Sequence, residues 1–219
     1  MVASSKSRTS KAPRPQIRDR KQELVRAALH LFSTYGYQSV SLDEVAKAAG
    51  VTKGAIYHHF QDKDELLDYT IICSFQSLEK IEQILEHFEG PSKKKLMLAA
   101  ADAWERWTDP AFGKFYQLFM GEIASAHPLV FHRWFKLGPL RTWRFWGKII
   151  EEGKKKKEFR RNVNATEMSR LMLASLSSLA VFQGLVSKRN PEYCPNQQVF
   201  ESTMEVFMFT LENPVTKGK

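Results

Sequence analysis

Between Arg20 and Leu67 the apolar residues fall into three short helical stripes separated by stops. Leu24, Ala27, Ala28, Leu31 and Phe32 recur at i, i+3, i+4, i+7 and i+8, which puts them on one face of a first helix. Gly36 stands where a helix ends on a left-handed residue. Leu42, Val45, Ala46 and Ala49 repeat the stripe, opened by Ser41 with Glu44 three residues on, the pattern of a capping box. Gly50 closes this second helix, and Val51 plugs the small core behind the turn. Thr52 is placed to cap a third helix that turns Ile56 inward and Lys53, Gly54, Tyr57 and His58 largely outward. The last two segments read as a helix-turn-helix, the unit that lays a helix in the DNA major groove.

The rest of the chain keeps the helical period. Asp62 with Glu65 signals a cap for one long helix whose apolar side runs from Leu66 through Ile71, Phe75, Leu78 and Leu85 to Phe88, ending at Gly90-Pro91. At 1.5 Å per residue, about 27 residues span roughly 40 Å, enough to join two domains. Ser92 is expected to cap a helix bearing Leu96, Ala99, Ala103, Trp104 and Trp107, stopped by Asp109-Pro110. Phe112, Phe115, Phe119, Met120 and Ile123 line another, closed near His127-Pro128. A short aromatic segment with Phe131, Trp134 and Phe135 breaks at Gly138-Pro139. Leu140, Trp143, Trp146, Ile149 and Ile150 mark a helix expected to stop at Gly153, and Gly153 to Asn162 reads mostly as a solvated loop. Asn164 with Glu167 caps a helix over 165–187, and Asn196 caps the last, over 197–212. No useful strand alternation and no internal repeat occurs, so the predicted fold is all-α.

Composition narrows the chemistry. A net charge of +9 and a pI near 9.5 suit a phosphate-rich partner, although they also fit solubility or an anionic membrane surface. Residues 1–15 are rich in Ser, Lys, Arg and Pro and are expected to be a disordered basic arm, either a solvated tail or a strand of charge following the minor groove. Two cysteines, Cys73 and Cys194, make no disulfide framework, which points to a reducing compartment. The N-terminus lacks the apolar stretch of a signal peptide, and the longest apolar run, Leu171–Val186, is shorter than the ~20 residues of a spanning helix. A soluble cytoplasmic protein without a membrane partner is expected. No phosphate loop, metal-ligand spacing or nucleophile motif stands out, so neither enzyme activity nor a cofactor nor a metal is expected.

The segment VTKGAIYHHFQDKDELL resembles the recognition-helix signature of the TetR family of bacterial transcriptional repressors. SLDEVAKAAG is similar to that family's second helix, and AALHLFSTYGYQSVSL to its first helix and connector. Gly50-Val51, Gly54, Tyr57, Phe60, Lys63 and Leu66-Leu67 stand in register, and the likeness is specific over 16–72 and diffuse afterwards. The resemblance implies a head at 16–62, bound through the long helix to a ligand-binding and dimerisation domain at 63–219. It also implies DNA contacts from Ser41, Thr52, Lys53, Gly54, Tyr57, His58, His59 and Lys63. The residue types suit that role: Gly54 permits close backbone approach, Lys53 can read guanine O6/N7, and Tyr57 and the histidines can donate to phosphate. Adjacent His58 and His59 diverge by about 100° on a helix, which argues against a shared metal site.

Two further sites are expected. All five tryptophans lie between Trp104 and Trp146, and the resemblance implies that this region holds a small molecule. The candidates are Trp104, Trp107, Phe115, Phe119, Trp134 and Trp143, with a small hydrophobic effector as occupant. Arg106, Arg133, Lys136, Arg141 and Arg144 either serve an anionic group on that effector or are solvated surface cations. The last two helices are apolar around most of their surface and need cover on two sides. The resemblance implies a homodimer through them, with Leu176, Leu179, Met204, Phe207 and Met208 at the interface. The expected function is a ligand-responsive repressor that binds a palindromic operator as a homodimer. The alternative is a DNA-binding architectural protein, or constitutive regulator, whose aromatic region is solid core.

Overall fold

A computed structural model describes residues 17–186 and 197–212. The basic arm, Cys194 and the Asn196 cap lie outside the described residues. The head comprises α1 (Ile17–Tyr35), α2 (Leu42–Ala48) and α3 (Lys53–His59). Then come α4 (Lys63–Ser74), α5 (Gln76–Glu86) and α6 (Ser92–Thr108). Next, α7 (Pro110–Leu118) runs through a π-helical turn (Phe119–Ile123) into the short α8 (Ala124–Ala126). The remainder is α9 (Pro128–Leu137), α10 (Pro139–Lys155), α11 (Ala165–Val186) and α12 (Gln197–Leu211). No strand occurs among the described residues, and one isolated antiparallel bridge joins Phe159 and Glu212. The fold is all-α, with a helix-turn-helix head followed by a helical domain.

Two hydrophobic cores organise it. The first holds Leu24, Ala28 and Phe32 of α1, Val45 and Ile56 of the helix-turn-helix, and Leu66, Leu67 and Ile71 of α4. It extends without a break to Phe115, Phe119, Ile123 and Trp134, so α7, the π-turn and α9 pack as part of the head's own core. The second joins α6, α10, α11 and α12 around Ala100, Ala103, Trp146, Ile150, Met172, Leu176, Phe200 and Met204.

Local signals act where they were expected. Ser41 forms a full capping box with Glu44, Thr52 Oγ1 accepts from Ala55 N at 3.3 Å, and Asp62 Oδ1 accepts from Glu65 N at 2.8 Å. Gly36 and Gly50 sit at φ +84° and +68°, the left-handed region that a side chain would strain. Asn164 Oδ1 accepts from Thr166 N and Glu167 N to start α11.

Three expectations are corrected. The long helix is two, parted at Phe75. Thr70 and Ser74 donate their hydroxyls to the carbonyls of Leu66 and Thr70, each at 2.8 Å, a back-bonding that bends helices. The Phe75 ring then lies where a Cβ on Gly138 would be 2.2 Å away, so α5 turns off against the α9–α10 corner. Ser92 does not cap α6: its hydroxyl is buried without a partner, and the Glu158 carboxylate accepts from Ser92 N at 2.6 Å instead. Gly153 does not stop α10, which continues to Lys155. Gly153 lies beneath Phe159, whose ring leaves only 2.2 Å for a Cβ, and Phe159 is fully buried rather than part of a solvated loop. The backbone returns through Lys157 at φ 62°, and Arg160 N donates to Leu211 O at 2.7 Å, tying the loop to the end of α12.

Candidate nucleic-acid interface and ligand cavity

The turn between α2 and α3 is closed by Gly50 N to Lys47 O and Val51 N to Ala46 O, with Ile56 fully buried behind it. That fixes which face of α3 is presented to solvent. Thr52, Lys53, Gly54, Tyr57 and His58 are exposed, and His59 is half-buried. A Cβ on Gly54 would meet nothing within 4 Å, so no packing within the chain requires glycine there. Thr52 uses its oxygen as a cap acceptor and keeps its O–H for another partner. The Ser41 hydroxyl, by contrast, donates to Glu44 at 2.8 Å and is committed inside its box.

Lys53 pairs with Asp43 of α2 at 2.7 Å, and this hydrogen bond and charge raise its pKa above the ordinary lysine value. Both side chains are well exposed, so water screens the pair and it adds little to the stability of the fold. Desolvation, then the nearby Lys21 charge, lowers the His59 pKa and favours the neutral ring. Lys63 is turned inward: its ammonium donates to Tyr37 O at 2.8 Å and sits 4.4 Å from the centre of the Tyr37 ring. The Tyr37 hydroxyl in turn donates to Asp64, and burial followed by that carboxylate pushes the phenol's pKa up.

The connector before α2 is held from the other domain. Glu122, on the π-turn, accepts from Tyr37 N at 2.9 Å and Gln38 N at 2.8 Å. His127 adds a 3.0 Å contact to Gln38 and an edge-on packing against Tyr37. Gly36 leaves room for the carboxylate, since a Cβ there would lie 3.1 Å from Glu122 Oε2. Sequence reasoning did not identify Glu122 or His127 as head contacts. Their partners lie 84 to 89 residues away, and the only hint was an acidic residue on a mainly apolar stripe.

The aromatic region is not solid. A cavity of about 460 Å³ opens among the α4–α5 junction (Phe75, Leu78), α6 (Arg106, Trp107), α7 (Phe112, Tyr116) and Met120 of the π-turn. Trp134 and Phe135 of α9, Trp143 of α10 and Arg170, Leu173 and Ser177 of α11 are also part of the wall. Of the six residues expected there, Trp107, Trp134 and Trp143 line it. The other three lie outside this cavity. Trp104 faces away, packing on Phe200 at 5.8 Å, because it lies about 60° round α6 from Trp107. Phe115 and Phe119 are fully buried in the first core, and Phe119 stacks behind Trp134 at 5.4 Å.

Among the cations, Arg106 lines the cavity and pairs with Asp102, and desolvation lowers its pKa to about 10. Arg133 and Arg141 are instead bound to acids on the linking helices, Arg133 to Asp68 and Arg141 to Glu79 and Glu82. Arg170, which the sequence did not single out, lies 4.8 Å over the Trp143 ring at the cavity edge.

The dimer candidates divide. Leu176, Met204 and Met208 are buried in the second core of their own chain, and Leu179 and Phe207 are half-buried. Among the residues of α11 and α12 whose exposure is described, the large outward apolar ones are Leu171, Val206 and Phe209, the last 76% exposed. A helix that is apolar all round does not disclose from its sequence which side its own chain covers.

Residues 24–70 match the family described as bacterial regulatory proteins, tetR family. The transcriptional regulator AcrR of Shigella flexneri is 47% identical over 67 residues, covering 31% of each chain. The TetC protein of transposon Tn10 from Escherichia coli is 56% identical over 61 residues, 28% of this chain and 29% of its own. The chain thus spans about a third of the length of the curated relatives it matches. The crystal structure of the transcriptional regulator FadR from Bacillus subtilis in complex with stearoyl-CoA shares the fold, with a TM-score of 0.72 and 17% identity over 86% of this chain and 98% of that one. Among the described residues no helix is long and apolar enough to cross a membrane.

Proposed function

We propose that this chain, whose head belongs to the tetR family of bacterial regulatory proteins, is a ligand-responsive transcriptional repressor that binds a palindromic operator as a homodimer. The observation that carries it is one helix with two duties. Tyr116 and Met120 line the apolar cavity, and Glu122, a few residues on, caps the connector that enters the helix-turn-helix. An apolar molecule among Trp107, Trp134 and Trp143 that favours a shifted π-turn therefore moves the head. Phe75 and Leu78 give the same molecule a hold on the α4–α5 break. About 3 kcal/mol of preference for the shifted state changes operator affinity roughly 150-fold. The stearoyl-CoA bound by the FadR neighbour supports a hydrophobic effector of this kind.

On the DNA, α3 enters the groove with Thr52, Lys53, Gly54 and Tyr57 leading and with His58 and His59 toward phosphate. Lys63 and Ser41 support phosphate contacts only after releasing their present partners. Two heads read two half-sites when Leu171, Val206 and Phe209 are covered by a second copy.

Operator fragments selected from genomic DNA, followed by fluorescence anisotropy, test this. Lys53→Ala should weaken binding and relax base preference at one position, worth about 1–3 kcal/mol. Phe209→Glu should give monomers that bind weakly, and a wild-type chain sedimenting as a monomer at micromolar concentration would refute the dimer. Glu122→Ala should leave tryptophan quenching by a hydrophobic effector in place while cutting its effect on operator release. Full release by ligand in that variant would remove Glu122 from the route.

A further inference from the structure

A second cleft, of about 660 Å³, lies between α10 and α11 and shares Trp143 and Arg170 with the apolar cavity. Its other walls are cationic: Arg144, Lys148 and Lys155 stand along one face of α10. The two acids in the cleft are neutralised from elsewhere, Glu151 by Lys154 at 2.8 Å and Glu152 by Lys95 at 3.0 Å. Arg144, Lys148 and Lys155 make no ion pair with a described residue, so their charge is directed at the open cleft. The Arg170 guanidinium, held over Trp143 and bonded to Glu167 at 2.9 Å, stands at the junction of the two spaces.

Resting on the effector reading above, we infer that the occupant is a two-part molecule, an acyl or aryl group in the aromatic cavity joined to a phosphorylated headgroup in the basic cleft. A thioester of coenzyme A has that chemistry. Trp143 and Arg170 border both spaces, which sets the order of the parts: apolar body inside, linker past Arg170, phosphates against Arg144, Lys148 and Lys155. A free carboxylic acid would leave the three α10 cations unused. Lysine and arginine that are exposed and free of internal acids bind phosphate oxygens through charge-assisted hydrogen bonds, and the attraction weakens with salt. The cleft's apolar side chains are Leu140, Trp143 and Ala165, against four cations, whereas aromatic rings dominate the cavity.

The test uses the full chain bound to labelled operator, with octanoyl-CoA and phenylacetyl-CoA set against octanoate, phenylacetate and coenzyme A alone. The thioesters should quench tryptophan fluorescence and release operator at concentrations at least about tenfold below those of the matching acids, an advantage that shrinks in high salt. Arg144→Glu with Lys148→Glu should abolish most of the advantage, with far less effect on the acids. Circular dichroism and ligand-free operator affinity report whether that variant is folded, and the milder Lys148→Gln should lose an intermediate share. Equal potency of acid and thioester, or an unaltered double variant, would overturn the headgroup site while leaving a hydrophobic effector in place. Failure of every acid, thioester and neutral apolar compound to release intact operator complex would overturn the effector reading itself.

Discussion

The head and the second core are built by different kinds of contact. In the head, almost every stop and start is decided within four residues: Ser41 with Glu44, Thr52 with Ala55, Asp62 with Glu65, and Gly36 and Gly50 at positive φ. Around the second core Asn164 still starts α11 locally, but other such tasks fall to distant groups. Glu158 caps α6 from 66 residues away, Phe159 closes over Gly153, and Arg160 holds the end of α12. These local signals set the turn between α2 and α3, while Glu122 holds the connector before α2 from 84 and 85 residues away. The second core is instead braced largely by contacts between groups far apart in the chain.

The largest expected effect tests how far the second core depends on one residue from a loop. Phe159→Ala removes a fully buried ring and should cost about 3–5 kcal/mol. Ile56→Ala, deep in the head, should cost about 2–5 kcal/mol. Because the first core runs from α1 to Trp134, the two regions share α7 and α9 as a common wall, and both variants should melt in one transition at lowered temperature. Two transitions in either variant, followed by circular dichroism and tryptophan emission together, would show that the cores unfold apart.

A pair of cap removals sharpens the same contrast at smaller scale. Glu158→Ala deprives the first turn of α6 of a carboxylate that accepts from Ser92 N and Lys93 N, and should cost about 1–3 kcal/mol. Ser41→Ala removes an exposed local cap and should cost about 1 kcal/mol. Urea titration measures both. A larger loss for Ser41 than for Glu158 would reverse the assignment of local support to the head and remote support to the helical domain.

The same contrast explains what could be read from the sequence. The three head helices, their stops and the exposed face of α3 follow from residues close together in the chain, and the pattern around Val51–Phe60 was specific enough to carry a family resemblance. Most helices beyond were legible from apolar spacing and from breaks before proline, but the one long helix expected after Asp62 is two. The cavity wall was only half legible, because periodicity says which residues share a face and not whether that face meets space or another helix. Trp107 and Phe115 both lie on apolar stripes, yet one borders the cavity and the other is sealed in the first core. The Phe75 break was hidden by unbroken apolar spacing; Thr70 and Ser74, four apart, were the available signal. Glu122 and Glu158 had no local signature, since their partners are backbone N–H groups that every residue type supplies.

The smallest effect concerns the seam between the linking helix and the helical domain. Asp68 on α4 faces Arg133 on α9, and the positive charge alone would lower its pKa. Desolvation outweighs it and, with Asp64 and Asp62 nearby, raises the carboxyl above its ordinary value. One of its oxygens, Oδ1, is buried without a hydrogen-bond partner. The folded chain therefore holds this proton more tightly than the unfolded chain does. Ionised Asp68 weakens the fold at neutral pH, and that penalty is relieved as the pH falls through the folded-state pKa toward the unfolded value of 3.8. Asp68→Asn should accordingly be neutral or slightly stabilising at pH 7, by less than about 1 kcal/mol because Arg133 is half-exposed. The difference from wild type should vanish near pH 4. A clear loss of stability at pH 7 would mean that the ion pair holds α4 against α9, and that remote electrostatics brace the head as well as the helical domain.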